Sequence, residues 1–210
     1  MIPPLKSSLK QTFHIWAAIV LLTIATLIFL WKESKADSYI MLVPYHNKGL
    51  DIFFTWFTYL GDGIFVLLLG IVFIIRKMKW QGIAILVSYA LSGLLAQVLK
   101  HIFPSPRPAV FFREIGQQFY EIPGVTLMNS MASFPSGHTA SAFALMSILT
   151  SLYPRSRWNV AWCILAVAVG YSRMYLGNHF LEDVVCGAGI GMMASFCTIV
   201  LLKSISEKYQ

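Results

Sequence analysis

Apolar residues run along this chain in long blocks, not in the short alternations of a soluble sheet. Six stretches, residues 12–31, 51–75, 81–103, 136–153, 158–176 and 181–202, are dominated by aliphatic and aromatic side chains, some with a polar interruption. About 20 such residues in a helix rising 1.5 Å each cross the hydrocarbon core of a bilayer, so each block reads as a candidate spanning helix. Backbone groups left unpaired in lipid are costly, which restricts single spanning segments to helix. The connections are short except for residues 104–135, and no internal repeat or low-complexity linker interrupts the series. The pattern predicts an all-α polytopic membrane protein: one domain over residues 1–210, built as a six-transmembrane-helix bundle with one long loop.

Composition sharpens this. Of the 210 residues, 57% are hydrophobic and only 12% charged, against about 25% charged in a soluble average. The net charge of +7 does not point to nucleic acid, because the basic residues fall in short clusters between apolar blocks. Lys6 and Lys10, then Arg76, Lys77 and Lys79, then Arg155 and Arg157, then Lys203 and Lys208 share one side of a six-span chain, which makes that side cytoplasmic and places both termini there. The other side holds Lys32, Lys35, Lys48, Lys100, Arg107, Arg113 and Arg173 together with nearly every acidic residue. Ser34-Lys35-Ala36 weakly resembles a signal-peptide cleavage site, but the apolar core before it exceeds the usual length of about 7 to 15 residues, so the first block is expected to be a retained anchor. Cys163, Cys186 and Cys197 lie in apolar stretches without CxxC spacing, so neither a disulfide framework nor a zinc site is indicated.

Three polar clusters interrupt the blocks on the outer side. In KHIFPSPRP, Lys100 to Pro108, the prolines force an extended path that holds Arg107 near the membrane surface; taken singly, Lys100 also fits a snorkelling lysine and Arg107 a headgroup contact. In SFPSGHTASAF, Ser133 to Phe143, Pro135 suits a first helical turn, and Ser136, Gly137 and His138 then lie at a helix N-terminus, where free backbone N–H groups welcome an anion. Gly137 admits a ligand close to the backbone. A plain N-cap followed by an interfacial histidine also fits this segment. In SRMYLGNHFLEDV, Ser172 to Val184, a helix beginning near Asn178 puts His179 and Asp183 on one face. The carboxylate then fixes the imidazole tautomer and makes the other ring nitrogen the better nucleophile. Arg173 precedes His179 across a turn containing Gly177, and Glu182 is expected to be a solvated interfacial charge. Together these groups describe a site for a tetrahedral oxyanion with a nucleophile beside it. No metal is called for, because Asp183 is taken by His179 and the clusters hold no cysteine or third histidine.

Lys100 with Arg107-Pro108, Pro135-Ser136-Gly137-His138, and Ser172-Arg173 with His179 and Asp183 match the patterns KxxxxxxRP, PSGH and SRxxxxxHxxxD in order and spacing. In these the chain resembles the type 2 phosphatidic acid phosphatase (PAP2) superfamily, which also includes vanadium-dependent haloperoxidases. The resemblance implies a lipid phosphatase without metal or cofactor. His179 would attack phosphorus and become a phosphohistidine, with Asp183 orienting it. His138 would protonate the leaving oxygen and then activate water. Lys100, Arg107, Arg173, the Ser136 hydroxyl and the Gly137 N–H would hold the equatorial oxygens. The implied substrates are phosphatidic acid, phosphatidylglycerophosphate, a polyprenyl substrate such as undecaprenyl diphosphate, or lipid A. The short chain resembles bacterial members, so the location implied is the cell inner membrane, multi-pass, with the active site facing the periplasm or exterior. A lipid phosphotransferase is the nearest alternative.

Two features stand apart. Ala109 to Val125, with Phe111, Phe112, Phe119 and Tyr120, fits either an interfacial lid, with Arg113 reaching a second phosphate or headgroup, or an ordinary connection. Asp62, in YLGDGIF, falls within the second block, where an ionised carboxylate is expensive. It fits an ion pathway in a transporter or channel, a headgroup contact, or a hydrogen bond between helices that Gly61 and Gly63 bring close. His14, His46 and His101 are assigned no chemistry.

Overall fold

The computed structural model describes residues 5–125 and 130–208. The side chains of Lys6, Lys10 and Lys208, which enter the orientation reading, lie outside the described ones. Among the described residues the chain is all-helical with no strand. In order it forms α1 (Leu5–Lys32), α2 (Lys35–Leu42), α3 (Lys48–Phe57), a 3-10 turn (Thr58–Gly61), α4 (Gly63–Ile75), α5 (Lys79–Ile102), α6 (Pro108–Glu114), α7 (Gly137–Leu152), α8 (Asn159–Tyr175) and α9 (Leu181–Lys208).

Each apolar block is helical, but the second is not one helix. It breaks after Gly61, and the two halves bend by 49°. The break is chemically explicable: Asp62 leaves the helical backbone region, with φ −69° and ψ 139°, and its carboxylate accepts the Ile64 N–H as the N-cap of α4. Asp and Asn are preferred there because the side chain supplies an acceptor to a helix end that has none of its own.

Thr12–Lys32, Lys79–Ile102 and Leu181–Ser204 are long and apolar enough to cross a membrane, and the bent α3–α4 pair makes a fourth if counted as one span. The 16-residue α7 and 17-residue α8 fall short of the ~20 residues of a full crossing. Thirteen of the sixteen residues of α7 are buried, so it is wrapped by other helices and has little surface to offer lipid. Its neighbours are α9, α5 and α8. The contact with α9 is close because Gly187 and Gly191 face it: a Cβ at Gly187 would collide with the Ser136 carbonyl, and one at Gly191 with the Ala140 carbonyl. Small residues spaced by four permit this approach of two helix backbones.

The long loop is not a flat interfacial segment. Phe112 and Ile122 are buried with Tyr39, Val43, Met174, Tyr175, Leu176 and Phe180, and Phe111 and Phe119 pack on the same cluster. Burying one such side chain contributes about 1.5–3 kcal/mol, so α2, α6 and the following residues form a cap over the end of α8 and the start of α9. Arg113, Glu114 and Glu121 remain exposed.

Candidate active site

The extended path after α5 is held by backbone pairing. Ser105 N–H donates to the Met131 carbonyl (2.8 Å), Ser133 N–H to the Ser105 carbonyl (3.0 Å) and Arg107 N–H to the Ser130 carbonyl (3.2 Å). This pairing ties the segment carrying Lys100 and Arg107 to the one leading into α7. Lys100 Nζ donates to the Ala132 carbonyl at 2.8 Å. Arg107 is buried, and its guanidinium donates to Ser130 Oγ at 3.0 Å, to the Asn178 carbonyl at 3.0 Å and to the Ala132 carbonyl at 3.3 Å. Burial lowers its pKa, and the Asp183 carboxylate opposes that shift.

The N-cap of α7 is Ser136, so Pro135 precedes the cap and does not occupy the first helical turn. Ser136 Oγ accepts from Thr139 Oγ1 at 2.8 Å and from Thr139 N–H at 3.4 Å, which leaves its own hydroxyl hydrogen for donation. A Cβ at Gly137 would meet nothing within 4 Å, so the first turn of α7 opens onto free space on that side. His138 follows on the same turn.

The third cluster folds back on itself. At Gly177 φ is +69°, a region glycine enters freely, and the Arg173 carbonyl accepts from both Asn178 N–H (3.0 Å) and His179 N–H (3.2 Å). Helix α9 starts at Leu181, so His179 stands on the turn before it and not on its face. The pairing with Asp183 nevertheless forms: His179 Nδ1 lies 3.3 Å from Asp183 Oδ2. The same oxygen accepts Phe180 N–H at 2.9 Å and Ser133 Oγ–H at 2.5 Å. A first-turn carboxylate reaching back to the helix start is the second half of a capping box, and here that fixture also aims the histidine. Burial pushes His179 down to about 4; its hydrogen bond to Asp183 and that carboxylate's charge oppose the shift, while Arg173 and Arg107 add to it. The imidazole is therefore neutral at neutral pH.

The three segments meet. Ser136 N–H donates to the Asp183 carbonyl at 3.0 Å, Ser133 reaches the Asp183 carboxylate, and Arg107 reaches Asn178. Arg173, Arg107 and Lys100 lie close enough for their charges to act on His138, and His179 lies in the same neighbourhood. Arg173 is buried and donates from Nη1 to Thr58 Oγ1 at 2.8 Å, whereas its Nε is buried without a hydrogen-bond partner among the described residues. Three cations, a hydroxyl, a helix N-terminus and a neutral histidine with an orienting carboxylate thus line one spot. Such a set can bind a tetrahedral dianion and attack it.

Sequence reasoning missed Ser133, Thr58, Asn178 and Ser130, which hold the charged groups in place. Ser133 was open to suspicion from its place two residues before Pro135; the others carried no local signal. Glu182 is not a free interfacial charge but pairs with Lys35 at 2.6 Å. His46 has a partner too: its ring stacks on Tyr120 with centroids 4.3 Å apart and stands 3.5 Å from Asp51. Asp62 does not sit alone in a continuous span. It caps α4 and faces His138.

Known proteins resemble this chain in sequence and fold. The chain matches the PAP2 superfamily over residues 81–206. It is 30% identical over 123 residues to the lipid A 1-phosphatase of Rhizobium johnstonii, covering 59% of this chain and 48% of that protein, so it spans about half the length of that relative. It is 30% identical over 169 residues to phosphatidylglycerophosphatase B of Bacillus subtilis, covering 73% of this chain and 74% of that one. Among solved structures, a transmembrane PAP2-type phosphatidylglycerolphosphate phosphatase from Bacillus subtilis aligns with a TM-score of 0.65 at 25% identity, over 95% of this chain and 98% of that one.

Proposed function

The chain belongs to the PAP2 superfamily, and from that premise we propose that it is an integral-membrane lipid phosphatase, a phosphoric monoester or diphosphate hydrolase working through a phosphohistidine. The observation that carries the proposal is the buried His179–Asp183 pair, 3.3 Å apart at Nδ1, beside the cations and the α7 N-terminus. With Nδ1–H donated to Asp183, Nε2 holds the lone pair that attacks phosphorus. The P–O bond to the lipid breaks, and its oxygen takes a proton from His138. Water then attacks the phosphohistidine while His138 accepts its proton, the P–N bond breaks, and inorganic phosphate leaves. Lys100, Arg107, Arg173, the Ser136 hydroxyl and the Gly137 N–H hold the equatorial oxygens, where charge spreads in phosphoryl transfer.

The same reading gives the chain one PAP2-like domain with six spans, both termini cytoplasmic, and the site at the outer face of the cell membrane. The clustering of Arg76, Lys77, Lys79, Arg155 and Arg157 on the opposite side supports it. Relatives named for lipid A and phosphatidylglycerophosphate put these lipids first among the substrates, with phosphatidic acid and undecaprenyl diphosphate beside them.

The test is phosphate release from these four lipids in detergent with EDTA, comparing the native protein with His179→Ala. The expected result is release unaffected by EDTA and reduced by about 10⁴-fold or more in the variant. Release equal in both proteins overturns the mechanism. Phosphorylated alcohol in place of free phosphate identifies a phosphotransferase.

A further inference from the structure

Asp62 lies outside every motif that the proposed mechanism uses, yet its carboxylate has two directed contacts. One oxygen, Oδ1, accepts the Ile64 N–H at 2.8 Å and so is fixed by the start of α4. The other, Oδ2, lies 3.7 Å from His138 Nε2. The backbone is built for this approach. A Cβ at Gly61 would collide with the His138 carbonyl and with Val169, and one at Gly63 with the Tyr89 ring. Glycine at 61 therefore lets the 3-10 turn press against the first turn of α7, glycine at 63 lets the start of α4 press against α5, and the bend in the second span aims the carboxylate at the histidine.

We infer that Asp62 is a positioning residue for His138, orienting its imidazole and stabilising the imidazolium that forms when His138 takes a proton from water. The inference rests on the mechanism proposed above. Its physical ground is the local charge: Arg173, Arg107 and Lys100 all act on His138, and His179 is neutral at neutral pH, so a proton on His138 is added among like charges. A carboxylate facing Nε2 offsets them, and Nδ1 is then the nitrogen that gives and takes the proton at the reacting oxygen. Asp62 also acts on Arg173, so it ties the acid–base group to the phosphate-binding cations. The 3.7 Å separation is longer than a hydrogen bond; contacts of this kind in a free enzyme commonly tighten when substrate binds. An N-cap alone does not explain an aspartate here, since Asn or Ser caps a helix as well without placing a charge in an apolar block.

Asp62→Asn keeps the cap and the size of the side chain and removes the charge. With p-nitrophenyl phosphate, whose leaving group needs little protonation, the variant is expected to release one equivalent of p-nitrophenol in a burst and then turn over about 10²-fold more slowly than the native protein. With phosphatidic acid its kcat falls by a similar factor while KM and the unfolding temperature in detergent stay near native. In a His138→Ala background the same substitution should cost no more than about twofold, because Asp62 acts through the histidine. Native turnover in Asp62→Asn overturns the inference, as does an equal loss with His138 present and absent, or a rise in KM with kcat unchanged. His179→Ala separates the two levels: if it keeps activity, the phosphohistidine reading fails and the inference with it, whereas an inactive His179→Ala beside a native-like Asp62→Asn sinks the inference alone.

Discussion

The site holds two histidine–carboxylate pairs, and they are built in opposite ways. His179 and Asp183 are four residues apart, with side chains 3% and 0% exposed, and a backbone N–H and a serine hydroxyl pin the shared oxygen. His138 lies in α7 and Asp62 at the break before α4, with side chains 31% and 29% exposed, and the glycine preceding the carboxylate, Gly61, is what lets the two backbones approach. The contrast fits the two tasks proposed. A nucleophile gains from a fixed tautomer and from exclusion of water, which would otherwise solvate it. An acid–base group must exchange protons with a leaving group and with water, so it needs an open side.

That contrast ranks the expected losses. Asp183→Asn should be the most damaging carboxylate change, about 10⁴-fold in kcat by the logic of an orienting carboxylate whose amide imposes the wrong tautomer, well beyond the loss expected for Asp62→Asn. Steady-state kinetics of the two variants side by side check this, and equal losses would break the distinction. Ser133→Ala comes next. It leaves a buried carboxylate short of one donor, which should lower stability by about 1–3 kcal/mol and reduce kcat more modestly, measured by detergent unfolding and turnover together.

A pH series sharpens the comparison further. The folded pKa of His179 is about 4, below its ordinary value of 6.5. The unfolded chain therefore binds this proton more readily, so the stability linked to His179 is fully present above pH 6.5 and declines as pH falls toward 4. The acid limb of kcat/KM should lie below the usual histidine range for the same reason. Asp183 pulls this pKa up while Arg173 and Arg107 push it down, so Asp183→Asn should move the limb to lower pH and Asp62→Asn should leave it in place. An acid limb that stays put in Asp183→Asn would show that another group sets it. The smallest effect is expected at the half-exposed Lys35–Glu182 pair, where Glu182→Gln should change stability by less than about 1 kcal/mol and leave kcat unchanged.

The spaced residues of the three clusters could be read directly from the chain, because a motif states which side chains must converge without saying how. The His179–Asp183 contact was legible for a reason that proved incomplete: the four-residue spacing was right, but a turn and a capping box bring the pair together, not a shared helical face. Asp62 was legible only as an anomaly. Its charge in an apolar block marked it, and its flanking glycines hinted at close packing, yet nothing along the chain named His138 as the group it faces. The aromatic loop was ambiguous for a similar reason, since Phe112 and Ile122 show their buried side only once Tyr39 and Phe180 are placed opposite them.

By itself, then, the sequence determined the helical class, the apolar blocks, the family and the candidate residues proposed to bind and attack a phosphoryl group. These follow from hydropathy and from fixed spacings, which are properties of the chain read in order. Only the tertiary structure decided the break at Asp62, the partners of Arg107 and Arg173, the anchoring of the loop and the second histidine–carboxylate pair. Apart from the break, which a local cap makes, these depend on how closely distant segments approach, and that distance is set by packing at residues such as Gly61 and Gly187, which no local periodicity encodes.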